Sequence, residues 1–254
     1  MARACAYCGK AGVRMTREEV FPKFLIRAHP HYSSHISRSL PGLVLPRPRA
    51  VRDVCGGCNS RSLSTLDAFA ASFCRAYLRG FVQPGKTGFV RYDHHLLTRW
   101  ILKVAYNSAR SSGEPVTPFR NLTPYVLGET VRPPVPQTLF AAVIQADRCT
   151  EEERTALKLP FLYPRGIRVG TILLHRLRGA STFGVLMCVN SYIFVVLQWA
   201  AHLDRRERRA IATAVARRDG LTVLPEGRRA ASIANSRMTS REYLSRNAWS
   251  PEGI

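Results

Sequence analysis

The 254-residue chain is poor in acid and poorer still in lysine. Seventeen Asp and Glu stand against thirty-eight basic residues, five of them Lys and thirty-three Arg, for a formal net charge of +21. Such a balance argues against a cationic partner and for a polyanion, either nucleic acid or an anionic membrane surface. With 46% hydrophobic and 22% charged residues, the composition excludes an intrinsically disordered class. The opening MARACAYCGK lacks the apolar stretch of a secretory signal, and the seven cysteines are odd in number. A secreted disulfide scaffold is therefore not expected, and the chain reads as cytoplasmic with reduced thiols. Long uncharged runs are scarce too. Residues 179–203 carry no Asp, Glu, Lys or Arg, enough to span a bilayer. Asn190-Ser191 interrupts that run, Gln198 and His202 add polarity, and Val, Ile, Tyr and Phe dominate its second half. Two buried strands, 183–189 and 192–199, joined at Asn190-Ser191 are expected in place of a membrane helix.

What is present divides the chain into three. Residues 1–80 hold two cysteine pairs, a long His/Ser/Pro/Arg-rich loop over 28–50 and a helix with Leu63, Leu66, Phe69, Phe73 and Tyr77 at spacings of three and four. Ser64 and Asp67 are placed to cap that helix, with Asn59 or Ser60 as earlier caps. Residues 81–224 are expected to form an α+β unit of unassigned role. It has a helix over 93–109, a Pro-rich irregular surface segment over 111–138, strands near 139–145 and 171–177, the 183–199 hairpin, and a basic helix from Asp204 to Arg218. Residues 225–254 read as a basic, mobile tail, with a possible short helix capped by Thr239 and Glu242. The fold class is α+β: a small N-terminal metal module followed by mixed helices and antiparallel strands.

Cys5-Ala-Tyr-Cys8 and Cys55-Gly-Gly-Cys58 are the strongest motif in the chain. Each short turn can aim two sulfurs at one ion while backbone N–H groups stabilise their charge, and two such turns close a tetrahedral structural zinc site. Free thiols or a redox pair are the other readings of the same residues. Cys74, Cys149 and Cys188 have no partners in sequence and read as buried core.

Between and after the pairs the chain runs Thr16-Arg17-Glu18-Glu19-Val20-Phe21-Pro22-Lys23-Phe24-Leu25, then Val54-Cys55-Gly-Gly-Cys58-Asn59-Ser60. With the paired cysteines, this resembles the zinc-knuckle branch of the HNH endonuclease family over residues 5–80, more weakly over 94–107. The resemblance implies a ββα-metal fold and hydrolysis of DNA phosphodiester bonds around one Mg²⁺ or Mn²⁺. By position it implies Glu18 and Asn59 as ligands of that catalytic ion. The family's general-base histidine position is occupied by Glu19, and no Asn lies between residues 23 and 57 where the family has one. A free Glu titrates near pH 4.3, against about 6.5 for His, so Glu19 is a poor base at neutral pH and a better metal ligand. His29, His31 and His35 in the loop could supply a base from elsewhere; solvated loop residues are the plainer reading.

Ten basic and three acidic residues occupy positions 1–60. Arg17, Lys23 and Arg61 are the residues expected to touch phosphate, where such contacts make affinity salt-dependent. Two functions stay open: a metal-dependent HNH-type endonuclease, and a catalytically degenerate, zinc-stabilised nucleic-acid-binding protein, DNA being the first partner in either case.

Overall fold

The computed structural model describes residues 3–29, 34–35, 44–45, 49–164, 166–177 and 180–245. In the first cysteine turn the Gly9 N–H donates to the Cys5 carbonyl at 2.9 Å, with Gly9 in the left-handed region at φ 71°. Strand β1 (Met15–Glu19), a short helix α1 (Lys23–Ala28) and the small pair β2 (Ser34–His35) and β3 (Val44–Leu45) come before β4 (Ala50–Cys55). Within the expected 28–50 loop, residues 30–33, 36–43 and 46–48, including His31, Arg38 and Arg47, lie outside the described residues. β4 runs antiparallel to β1 and carries one residue more between the pairs Thr16↔Val54 and Glu18↔Val51, a local bulge.

The second cysteine pair leads without a break into a helix of three parts: a π-helical turn Cys58–Leu63, α2 (Ser64–Phe73) and a second π turn Cys74–Leu78. The expected cap at Ser64 is therefore absent. The helix has already begun, so Ser64 Oγ bonds back to the Ser60 carbonyl at 2.8 Å.

Next come β5 (Gly88–Arg91) and the 19-residue α3 (His94–Ser112), capped by Asp93, which accepts from the Leu96 N–H at 2.8 Å. α3 is buried on nearly every side, from Leu97 to Ala109. The Pro-rich segment that follows was expected at the surface. Residues 128–136 are irregular and largely exposed as expected, but the part before them folds into α4 (Thr117–Arg120) and α5 (Thr123–Leu127), burying Phe119, Leu122, Tyr125 and Val126 against α3. Pro118 and Pro124 occupy first-turn positions, where a missing N–H costs nothing.

The second half is built on β6 (Gln137–Gln145), β7 (Asp147–Arg148), α6 (Glu151–Leu157), β8 (Phe161–Leu162), β9 (Ile167–Leu177), β10 (Ala180–Val189), β11 (Tyr192–Gln198), α7 (Arg205–Asp219) and β12 (Thr222–Val223). The strand order β12-β6-β11-β10-β9 is antiparallel throughout, and Asn190 makes the β10–β11 turn at φ 50°. Alternate residues serve opposite faces. Leu139, Ala141, Val143, Val185, Met187, Phe194 and Val196 join a core that reaches Cys5, Cys58, Leu66 and Trp100. Phe140, Ala142, Ile144, Leu186, Ile193 and Val195 join a second core against Ile211, Ala212 and Val215 of α7. With both faces covered, the strands read as continuous apolar runs, and this is why 179–203 resembles a membrane span. Among the described residues no helix is long and apolar enough to cross a membrane.

The expected mobile tail is corrected over its described part. β13 (Ala230–Ile233) pairs with β5, and β14 (Asn235–Thr239) runs parallel to β6. α8 (Ser240–Ser245) is introduced by the reciprocal Thr239–Glu242 bonds. Backbone pairing holds this polar stretch in place, and Ile233, at 0% exposure, seats it in the core. That core also joins residues 5–80 to the remainder without interruption.

Candidate metal centre and its basic surroundings

The turn after Cys5 and the β4-to-helix step at Cys55 bring four thiols together, with all four sulfurs within 4.8 Å of one another. Cys5 and Cys58 Sγ are 4.0 Å apart, Cys8 and Cys55 Sγ 3.7 Å. A disulfide needs about 2.05 Å. Four sulfurs at about 2.3 Å from a tetrahedral zinc lie about 3.8 Å from each other, so the spacing suits a shared metal such as zinc. The Cys55 N–H points at Cys5 Sγ (3.3 Å) and the Cys58 N–H at Cys55 Sγ (3.4 Å). Burial works against ionising Cys5, yet N–H donors from Cys8, Cys55 and Tyr7 bring its thiol down to about 7. Burial pushes Cys8 and Cys58 up, and the neighbouring thiols add to it. Among the described residues this is the one group of three or more His, Cys, Asp or Glu side chains placed to share an ion. Cys74 and Cys188 are buried as expected, and burial pushes the Cys74 thiol up to about 12. Cys149 is only half-buried.

Glu18 and Glu19 are neighbours on β1 and so face opposite ways. Glu18 turns inward. Its carboxylate lies 2.6 Å from Nζ of Lys103 on α3, and that ammonium also donates to both Asp67 oxygens, at 2.6 and 2.7 Å. The Lys103 side chain is 0% exposed and Glu18's is 9%. Burial pushes both carboxyls above their ordinary range, and Lys103 pulls them back down. Glu19 faces outward at 20% exposure, 3.7 Å from Arg17 Nε. Asn59 reaches neither acid in this arrangement. Its amide donates to Thr16 Oγ1 at 2.9 Å and to the Arg17 carbonyl at 3.2 Å, tying the first helical turn to β1. Glu18, Glu19 and Asn59 are thus close in the fold but engaged with three different sets of partners.

Comparison with models of known protein families, with curated proteins and with solved structures finds no match to this chain.

The α3 residues that hold the module were not anticipated. Besides Lys103, Asn107 accepts from the Tyr7 hydroxyl at 2.8 Å and from Arg110 at 2.6 Å, and donates to the Glu19 carbonyl. Arg110 also pairs with Asp53 at 3.0 Å and lies over the Tyr106 ring at 4.3 Å. A sequence signal existed for Lys103. Trp100-Ile101-Leu102-Lys103-Val104-Ala105-Tyr106 puts one ammonium in an apolar run, and such a charge requires a buried partner. Of the loop histidines, His29 is used structurally: Nδ1 meets the Leu25 carbonyl at 2.9 Å and Nε2 meets Asn190 Oδ1 at 3.0 Å. The side chains of His31 and His35 lie outside the described residues.

Basic side chains line the module's outside. Arg3, Lys10, Arg14, Arg17, Lys23, Arg27, Arg52 and Arg61 are all exposed. Glu19 offers Arg17 its ion pair, and Asp53 is taken by Arg110.

Proposed function

We propose that the protein binds nucleic acid, DNA first, through a zinc-stabilised N-terminal module that has lost hydrolytic chemistry. The observation that carries this reading is Lys103. A catalytic divalent ion at Glu18 would have to displace a fully buried ammonium already 2.6 Å from that carboxylate and shared with Asp67. A cation on a rigid helix neutralises the acid pair as an ion would, without the exchangeable water that metal-assisted hydrolysis requires. The order of cysteine pair, strand, strand with second pair, and helix is the order expected of an HNH zinc-knuckle module. We read the chain as a degenerate relative of that class, with Glu19 in place of the base. Zinc on Cys5, Cys8, Cys55 and Cys58 would be structural, since four thiolates leave no open position for chemistry. Mg²⁺ or Mn²⁺ on Glu18 and Asn59 belongs to the competing endonuclease reading. Arg17, Lys23 and Arg61 are the phosphate contacts, and affinity should fall steeply with salt.

The test joins duplex binding by fluorescence anisotropy over a salt series to plasmid nicking in EDTA, Mg²⁺ and Mn²⁺. Salt-dependent binding without nicking, weakened by Arg17→Gln with Arg61→Gln and unaffected by Asn59→Ala, is expected. Metal-dependent nicking abolished by Glu18→Ala would replace the binder with an endonuclease. Absence of binding at low salt would sink both.

A further inference from the structure

The second charged face lies on α7, across the six-stranded sheet from the cysteine cluster. Between Asp204 and Asp219 the helix carries six arginines and three acids. The acids are occupied: Asp204 and Glu207 cap the helix through each other's backbone N–H groups, and Asp219 pairs with Arg218 at 2.8 Å. Arg208 is turned back to the Leu203 carbonyl at 3.0 Å. Ile211, Ala212 and Val215 face the sheet, so at 100° per residue Arg206, Arg209 and Arg217 fall on the opposite, outward side. All three are exposed and have no ion pair among the described residues.

From Arg206 to Arg217 the rise is about 17 Å, longer than the roughly 12 Å width of a duplex major groove. The row can therefore reach phosphates on both sides of a groove. A bilayer fits less well, because an interfacial helix needs a free apolar face and the sheet already covers that of α7. The sheet lies between this row and the core that holds the cysteine cluster, which sets the two basic faces apart.

We propose that α7 is a second, independent phosphate-binding face, and that the protein holds two nucleic-acid duplexes at once, one on each side of its sheet. This rests on the reading of the N-terminal module as a nucleic-acid binder. The test uses the full chain. Protein is loaded on a bead-bound duplex, and capture of a second, fluorescent duplex is measured, with phosphatidylserine vesicles as a parallel probe. Wild type should capture the second duplex. Arg206→Gln/Arg209→Gln/Arg217→Gln should still bind the first duplex, within about threefold, while second-duplex capture falls at least roughly tenfold. Arg14→Gln/Arg17→Gln/Arg61→Gln should lose capture in the same way, and unchanged thermal melts would establish that both triple variants are folded. Duplex binding without second capture, or capture undiminished in the α7 variant, would overturn the two-face arrangement and leave the N-terminal reading intact. No duplex binding by wild type would overturn both. Vesicle binding lost in the α7 variant, without duplex capture, would replace the nucleic acid on this face with a membrane surface.

Discussion

Replacing Lys103 by Met isolates the polar junction between α3 and the cysteine module. Methionine is as flexible as lysine and shorter by only the terminal nitrogen, so packing at the fully buried site is little changed. What disappears is the ammonium that neutralises Glu18 and Asp67. Removing one partner of a buried ion pair costs about 3–5 kcal/mol, because the other charge stays buried and uncompensated. Asp67 keeps 27% exposure, and water there should hold the loss near the lower end. The pH dependence follows from the raised carboxyls. A carboxyl whose folded value exceeds its unfolded value binds its proton more tightly in the folded state. Its ionised burial cost is present above the folded value and is relieved as pH falls toward the ordinary carboxylate range. In Lys103→Met the downward pull on Glu18 and Asp67 is gone, so their values rise further and the relief begins at higher pH than in wild type. Urea unfolding at pH 7.5, 6.0 and 5.0 should give a deficit largest at pH 7.5 and shrinking on acidification, the wild type at each pH cancelling effects on the thiols. Adding Glu18→Gln and Asp67→Asn should recover part of the loss at pH 7.5. A deficit under about 1 kcal/mol, or one that does not change with pH, would refute the buried-triad account.

Three further outcomes are expected. Cys55→Ser should abolish stoichiometric zinc, measured by mass spectrometry of the native protein, and lower the melting temperature to that of chelator-treated wild type, since metal affinity is folding free energy in such sites. Ile233→Ala should cost about 2–5 kcal/mol in urea and increase amide exchange in β13 and β14; a change within error would return this segment to the status of a tail. Asn190→Gly keeps the φ 50° turn but loses the amide bonds to the Leu78 carbonyl and to His29, so a loss of about 1–3 kcal/mol is expected. Asn190→Ala should cost about 1 kcal/mol more, through the left-handed backbone.

Much of the fold was legible because its signals are local. The paired cysteines announce a four-thiol site by spacing alone. Asp204 caps α7 where an acid precedes an apolar period, and the helix expected from residue 93 is α3. Asn190-Ser191 turns β10 into β11 because Asn tolerates the left-handed region. Elsewhere a distant partner overruled the local preference. Ser64 and Asp67 form an N-cap signature, yet the helix starts at the second cysteine pair and Asp67 turns to Lys103. The proline segment looked solvated until α3 supplied a wall for Phe119 and Tyr125. The 230–239 strands are too polar for any periodicity argument, since β5 and β6 supply their hydrogen bonds.

The sequence by itself determined the thiol quartet, the α+β class, the hairpin and the basic charge, all of which depend on residues near one another or on composition. Tertiary structure alone decided that Glu18 faces a buried ammonium while Glu19 faces solvent, that Asn59 braces a strand, and that the two arginine-rich faces lie on opposite sides of one sheet. Those facts depend on which element packs on which, and the partner of Glu18, 85 residues away on α3, is fixed only when the core closes.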